Sequence, residues 1–151
     1  MEKVRVLSLT LSTLSHATEE KSRVLQAIAG ICSGELSREL KTGRARGHYG
    51  NEIFTMQIRS ASPSQADQCF EETWRRLTLS DREHIVSRLS DLTDSSGTLF
   101  MRIDKEESFR GKILLGGSET IKIEVRFGIH SAPRDVLLKR IENRMKTISL
   151  V

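Results

Sequence analysis

Thr120-Ile121-Lys122-Ile123-Glu124-Val125-Arg126-Phe127 alternates polar and apolar residues without a break. Successive residues of a strand point to opposite faces, so Ile121, Ile123, Val125 and Phe127 suit a core while Lys122, Glu124 and Arg126 suit water. Three other segments repeat the pattern. Val4–Ser12 sets Leu7, Leu9 and Leu11 against Ser8, Thr10 and Ser12. Ile53–Ser60 sets Phe54, Met56 and Ile58 against Thr55, Gln57 and Arg59, and Thr98–Asp104 sets Leu99, Met101 and Ile103 against Phe100, Arg102 and Asp104. A weaker strand is expected over Leu36–Thr42. Gly116-Gly117-Ser118-Glu119 reads as a hairpin turn joining a short strand, Ile113–Leu115, to the strand quoted first.

Between these lie segments of helical period. Thr18 is placed to cap a helix reaching Cys32, with the stripe Val24, Leu25, Ile28, Ile31 and Cys32. Ser62-Pro63-Ser64 opens a second, with Ala66, Cys69, Phe70, Thr73, Trp74 and Leu77 on one side. Ser80 is the expected cap of a third, and Pro133 starts a last helix carrying Leu137, Ile141, Met145 and Ile148. Lys105–Arg110 reads as a connector. The order β-α-β-β-α-α-β-β-β-α, with strands polar on one face, implies an α+β two-layer sandwich: a mostly antiparallel sheet with helices on one face. The pattern by itself also permits other open-faced sandwiches.

A chain of 151 residues, 37% hydrophobic and 29% charged, is expected to form a single domain over 1–151 with a real core. No apolar run approaches membrane-spanning length and the N-terminus lacks a signal-peptide pattern, so a cytoplasmic location without membrane partners is the expectation. Cys32 and Cys69 fall on apolar helix faces and read as buried free thiols. The formal charge of +4 is unevenly spread: residues 61–96 carry four basic and seven acidic groups, whereas 134–151 carry five basic and two acidic. Such one-sidedness suits a polyanionic partner.

Two features carry that expectation further. The polar faces of the strands offer Arg59, Arg102, Lys122 and Arg126, hydroxyls, and one ring, Phe100. RNA-binding sheets combine such residues, cations for phosphate and rings for bases, although a plain solvated face has the same composition. The stretch Gly43-Arg44-Ala45-Arg46-Gly47-His48-Tyr49-Gly50-Asn51 concentrates two arginines, a histidine and the only tyrosine among glycines. Read as a loop, it places Arg44 and Arg46 for phosphate and His48 or Tyr49 for stacking, where turn geometry accounts only for the glycines and Asn51.

GHYGN at 47–51, HATEE at 16–20 and LFMRIDKE at 99–106 resemble an archaeal family of small RNA-binding proteins regarded as predicted exosome subunits. That resemblance implies a ribosomal protein L5-like fold, RNA as ligand, and association with the exosome or another RNA-processing complex. It carries over most firmly to Gly47, His48, Tyr49, Gly50 and Asn51, and it points to the segment containing Arg102 and Lys105. The expected RNA-binding set is thus Arg44, Arg46, Gly47, His48, Tyr49, Gly50, Asn51, Arg59, Phe100, Arg102, Lys105 and Arg126.

No cofactor or metal site is expected, since His16, His48, His84 and His130 share no ligand spacing and no P-loop, GxGxxG or GxSxG occurs. A non-catalytic role follows. One enzymatic alternative groups His48 with Asp104 and Lys105 as an acid–base set acting on RNA ends. A third reading is a protein–protein adaptor that uses the basic C-terminal helix or an open strand edge, the latter also permitting a homodimer.

Overall fold

The computed structural model describes residues 4–16, 21–32, 41–46, 52–60, 62–128 and 132–149. In chain order its elements are β1 (Arg5–His16), α1 (Lys21–Ala29), β2 (Lys41–Arg46), β3 (Glu52–Arg59), α2 (Pro63–Arg76), α3 (Leu79–Ser87), α4 (Leu89–Leu92), β4 (Thr98–Asp104), α5 (Lys105–Phe109), β5 (Thr120–Gly128) and α6 (Arg134–Ser149). The strands form one five-stranded sheet in the order β2-β3-β1-β5-β4, and every neighbouring pair is antiparallel. Helices α1 and α2 lie on β1, and α6 packs on α2 and α4. The α+β sandwich expected from the alternation is the fold observed.

The core is the inward side of the strands against the helix stripes. Leu9, Leu11, Ile121, Ile123, Val125, Phe127, Leu99 and Ile103 are buried, facing Phe70 and Trp74 of α2 and Ile141 and Met145 of α6. Phe70 meets Phe127 edge-on at 5.1 Å, and the Trp74 indole donates to the Met145 carbonyl at 3.1 Å, so its one polar atom is satisfied inside. Ser62 caps α2 by accepting from the Gln65 amide, with Pro63 in the first turn.

The structure departs from the sequence reading at several points. Leu7 is 43% exposed while Val4 and Val6 are buried, because the β1–β5 register shifts between Val6 and Ser8. A bulge inserts one unpaired residue and inverts the alternation on either side of it. Leu7 then folds over Gly128, where a side chain would collide with it. Thr78, not Ser80, caps α3, accepting from the Asp81 amide at 3.1 Å. No hairpin strand forms at 113–115. That segment runs beside β4 instead, through the Ile103–Leu115 bridge and the Asp104 amide to Leu114 carbonyl bond. Gly116 and Gly117 both have positive φ, and the Asp104 carboxylate fills the space a Gly117 side chain would need. The connector at 105–110 contains α5, capped by Asp104. Cys32 and Cys69 are joined as a disulfide with Cα atoms 5.3 Å apart, not kept as two free thiols; the chain just past α1 is held to α2 by Arg76, which donates to the Gly30 and Ile31 carbonyls at 2.9 Å.

One polar cluster locks the C-terminal helix to the rest. Arg144, 5% exposed, donates from its two terminal guanidinium nitrogens to the Asp67 carboxylate at 2.6 and 2.7 Å. It also donates to Glu71 at 3.0 Å and to the Val4 carbonyl at 3.2 Å, while Asp67 accepts from the Val6 amide. Burial works against the charged guanidinium, but the hydrogen bonds it donates to Asp67 and Glu71 outweigh it and raise its pKa. Removing one partner of such a pair strands the other. Arg144→Ala should therefore cost about 3 kcal/mol and lower the melting midpoint by on the order of 10 °C in a thermal melt. Arg144→Lys should recover only part of this loss, since an ammonium cannot fork onto both carboxylate oxygens.

The turn into β4 is held by Asp94, which accepts from the Ser96 hydroxyl at 2.6 Å and from the Ser96 and Thr98 amides at 2.9 and 3.0 Å. These bonds, led by the Ser96 hydroxyl, hold its carboxyl below the ordinary value of 3.8. Its stabilisation is therefore complete above that ordinary value and is lost as pH falls through the depressed one. Asp94→Ala should melt earlier than the parent at pH 7, with the gap closing in melts carried below pH 3.8.

Candidate nucleic-acid interface

The cross-strand register lays out the sheet face opposite the helices as a grid. One row runs Arg59, Thr10, Glu124, Phe100, and the next runs Gln57, Ser12, Lys122, Arg102. Beside them lie Ser8, Arg126 and Thr98 at one end, and Thr55, Leu14, Thr120 and Asp104 towards the other. Residues directly opposite on paired strands share a face. Arg59, Arg102, Lys122 and Arg126 therefore stand on the same surface, contributed by three strands, with Glu124 and Asp104 as its acids. Glu124 is held by Lys122 at 2.8 Å, and Asp104 is engaged as the α5 cap. Arg59, Arg102 and Arg126 are exposed, and among the described residues no acid pairs with them. Among the described residues, Arg102 reaches the Thr120 hydroxyl, at 3.5 Å. Phe100 is half-buried between these cations.

Two hollows mark this surface. One of about 250 Å³ is lined by Ser8, Thr10, Gln57, Arg59, Glu124 and Arg126. Arginines from the strands on either side of β1 meet across a hydroxyl floor there, an arrangement suited to an anion. The other, of about 460 Å³, is lined by Ser12, Leu14, His16, Thr55, Arg102 and Glu119, among others. At its end, Glu119 bonds to His16 at 3.1 Å and lies 3.7 Å from the Lys105 ammonium.

Lys105 is 5% exposed and donates to the Leu14 carbonyl at 2.7 Å. It ties α5 to β1 and is not presented to a ligand, so its place in the expected RNA-binding set is corrected. Asp104, beside it in sequence, caps α5, and the Lys105 ammonium lies 3.7 Å from Glu119. Arg44 and Arg46 belong to β2, not to a loop. They stand opposite Phe54 and Glu52, out of phase with the Gly43–Thr55 and Lys41–Gln57 pairs that share the register of the open face. Gly47, His48, Tyr49, Gly50 and Asn51 lie outside the described residues, and with His48 so does the acid–base grouping with Asp104 and Lys105. The β2–β3 end they connect is next to His16, which pairs with Ile53.

The basic C-terminal helix is largely engaged within the protein. Arg134 donates to the carbonyls of Ser90, Thr93 and Asp94, Arg144 is buried, and Lys139 and Lys146 pair with Glu142 along the helix. Leu14 and Glu119 are not among the site residues expected from the sequence. Continuing the β1 alternation two residues past Ser12 would have reached Leu14. Glu119 sits in an apparent turn and has no local signature.

A protein-family model described as RNA binding matches residues 8–127. The RNA-binding protein PAB1135 of Pyrococcus abyssi is 24% identical over 134 residues, covering 87% of this chain and 86% of that protein. Among solved structures, protein AF2318 from Archaeglobus fulgidus, of the group designated DUF54, superposes with a TM-score of 0.76 at 24% identity, over 93% of this chain and 99% of that one. Mth689, a DUF54 protein from Methanothermobacter thermautotrophicus, gives 0.71 at 20% identity, over 93% and 98%. These two share the fold, and the family model reaches from the middle of β1 to the end of β5, taking in every strand of the grid. The chain belongs to the RNA-binding protein family that this model defines.

Proposed function

We propose that this protein binds RNA, without chemical conversion, on the open face of its sheet. Arg59, Arg102 and Arg126 hold phosphates and Phe100 stacks on an unpaired base. The observation that carries this reading is that, among the described residues, no helix covers this face and its three exposed arginines, from three strands, have no acidic partner. Unpaired guanidinium groups on one surface leave a positive field that a phosphate chain would neutralise. The family's description and the name of the Pyrococcus abyssi relative support RNA as the polyanion. His48 and Tyr49, in the segment that links β2 to β3 in sequence, are the residues that would add contacts beyond the sheet. Service to an exosome or another RNA-processing complex is the wider role that the resemblance in sequence suggests.

Replacing Arg59, Arg102 and Arg126 together by alanine should weaken binding of a short single-stranded RNA and flatten its salt dependence by about 2 units of slope, at ~0.7 per phosphate contact. All three are exposed, so the melting midpoint should hardly move. The control Lys139→Ala/Lys146→Ala, on the helix side, should bind as the parent does. Fluorescence anisotropy titrations at several salt concentrations make the comparison. An unchanged slope in the triple variant would remove the open face from the interface.

A further inference from the structure

Resting on that reading, we infer that the larger hollow holds one unstacked nucleoside, which makes the protein a binder of single-stranded rather than duplex RNA. Its floor is Leu14, a leucine 49% exposed in the central strand of the sheet, where polar residues occupy the neighbouring outward positions Ser12 and His16. An apolar patch there contributes nothing to phosphate binding but suits the face of a base. The hollow's volume of about 460 Å³ falls within the usual range of small-ligand sites, roughly 300–1,000 Å³.

Its wall adds a second sign. Glu119 presents a carboxylate, 44% exposed, at the edge of a cationic surface. Phosphate is repelled by such a group. The carboxylate is nevertheless fixed in place, by His16 at 3.1 Å and by the buried Lys105, itself anchored to the Leu14 carbonyl. A fixed acceptor facing a hollow matches a hydrogen-bond donor on the ligand, and a nucleoside within a strand offers three kinds, the ribose 2′-hydroxyl, the exocyclic amine of a base and the ring N–H of uracil or guanine. Arg102, on the same wall, is left for the adjoining phosphate. Bases stacked in an A-form duplex cannot reach the floor, whereas a splayed base can.

Three probes test this at fixed salt: a fluorescein-labelled single-stranded RNA decamer, the DNA of the same sequence, and the blunt RNA duplex. The parent should bind the single strand at least about tenfold tighter than the duplex, which reaches the surface only through phosphates. Leu14→Ser, at an exposed position that carries no fold, should lose several-fold with the single strand and nothing with the duplex. Glu119→Gln keeps the shape and should lose roughly tenfold with the single strand, the value of one charged hydrogen bond. Loss with RNA but not DNA identifies the 2′-hydroxyl as the donor. Loss with adenine and cytosine runs but not uracil runs, in either sugar, identifies the amine, and the reverse pattern identifies the ring N–H. Equal gains on all three probes in Glu119→Gln, or an unchanged Leu14→Ser, would overturn the nucleoside site. If the triple arginine variant still loses salt-dependent binding in that case, the open face stands without it. If the parent binds none of the probes, both readings fall.

Discussion

The inward residues of β1 and β5, Leu9, Leu11, Ile121, Ile123, Val125 and Phe127, are buried against the helical layer. A strand cannot bury one set of side chains without presenting the alternate set to the other side. With the helices stacked on one surface, the charges and hydroxyls of the central strands are driven together on the other. The cationic grid is therefore a by-product of one-sided burial as much as a built feature. What distinguishes it from an ordinary wet face is that, among the described residues, its arginines have no acidic partner, and that a leucine is exposed among polar neighbours.

Charge placement shows the same economy elsewhere. A basic C-terminal helix invites a phosphate-binding interpretation, yet Arg144 lies inside the protein, forked onto Asp67 and bonded to Glu71, and Arg134 closes the carbonyl end of α4. Both hold α6 against the chain. The arginines available to a ligand are those on strands whose opposite neighbours are neutral or already paired. Net charge could not separate these two populations, because both count equally in a sum.

Legibility varied with the range of the interaction. The alternation of β3, β4 and β5 was plain, as was the α2 stripe from Ala66 to Trp74, because period and capping act within a few residues. The bulge at Leu7 was not, since it arises from pairing with β5, more than a hundred residues away in sequence. Ile113–Leu115 looked like a strand of a hairpin, but Gly116 and Gly117 turn the chain along β4 instead. Lys105 looked like a surface cation in a ligand-binding motif. Its ammonium is claimed by the Leu14 carbonyl, a partner that local sequence cannot reveal.

From the order of residues alone came the α+β class, the polar sides of β3, β4 and β5, and Arg59, Phe100, Arg102 and Arg126 as surface groups. These follow from side-chain direction, which a two-residue period dictates. The tertiary structure decided which strands are neighbours, and so which polar sides merge into one surface and which cations are consumed within the protein. It brought Cys32 to Cys69, and Glu119 to His16 and Lys105, at one end of that surface. Such meetings depend on register and helix packing, which join residues distant along the chain and leave no mark in local composition.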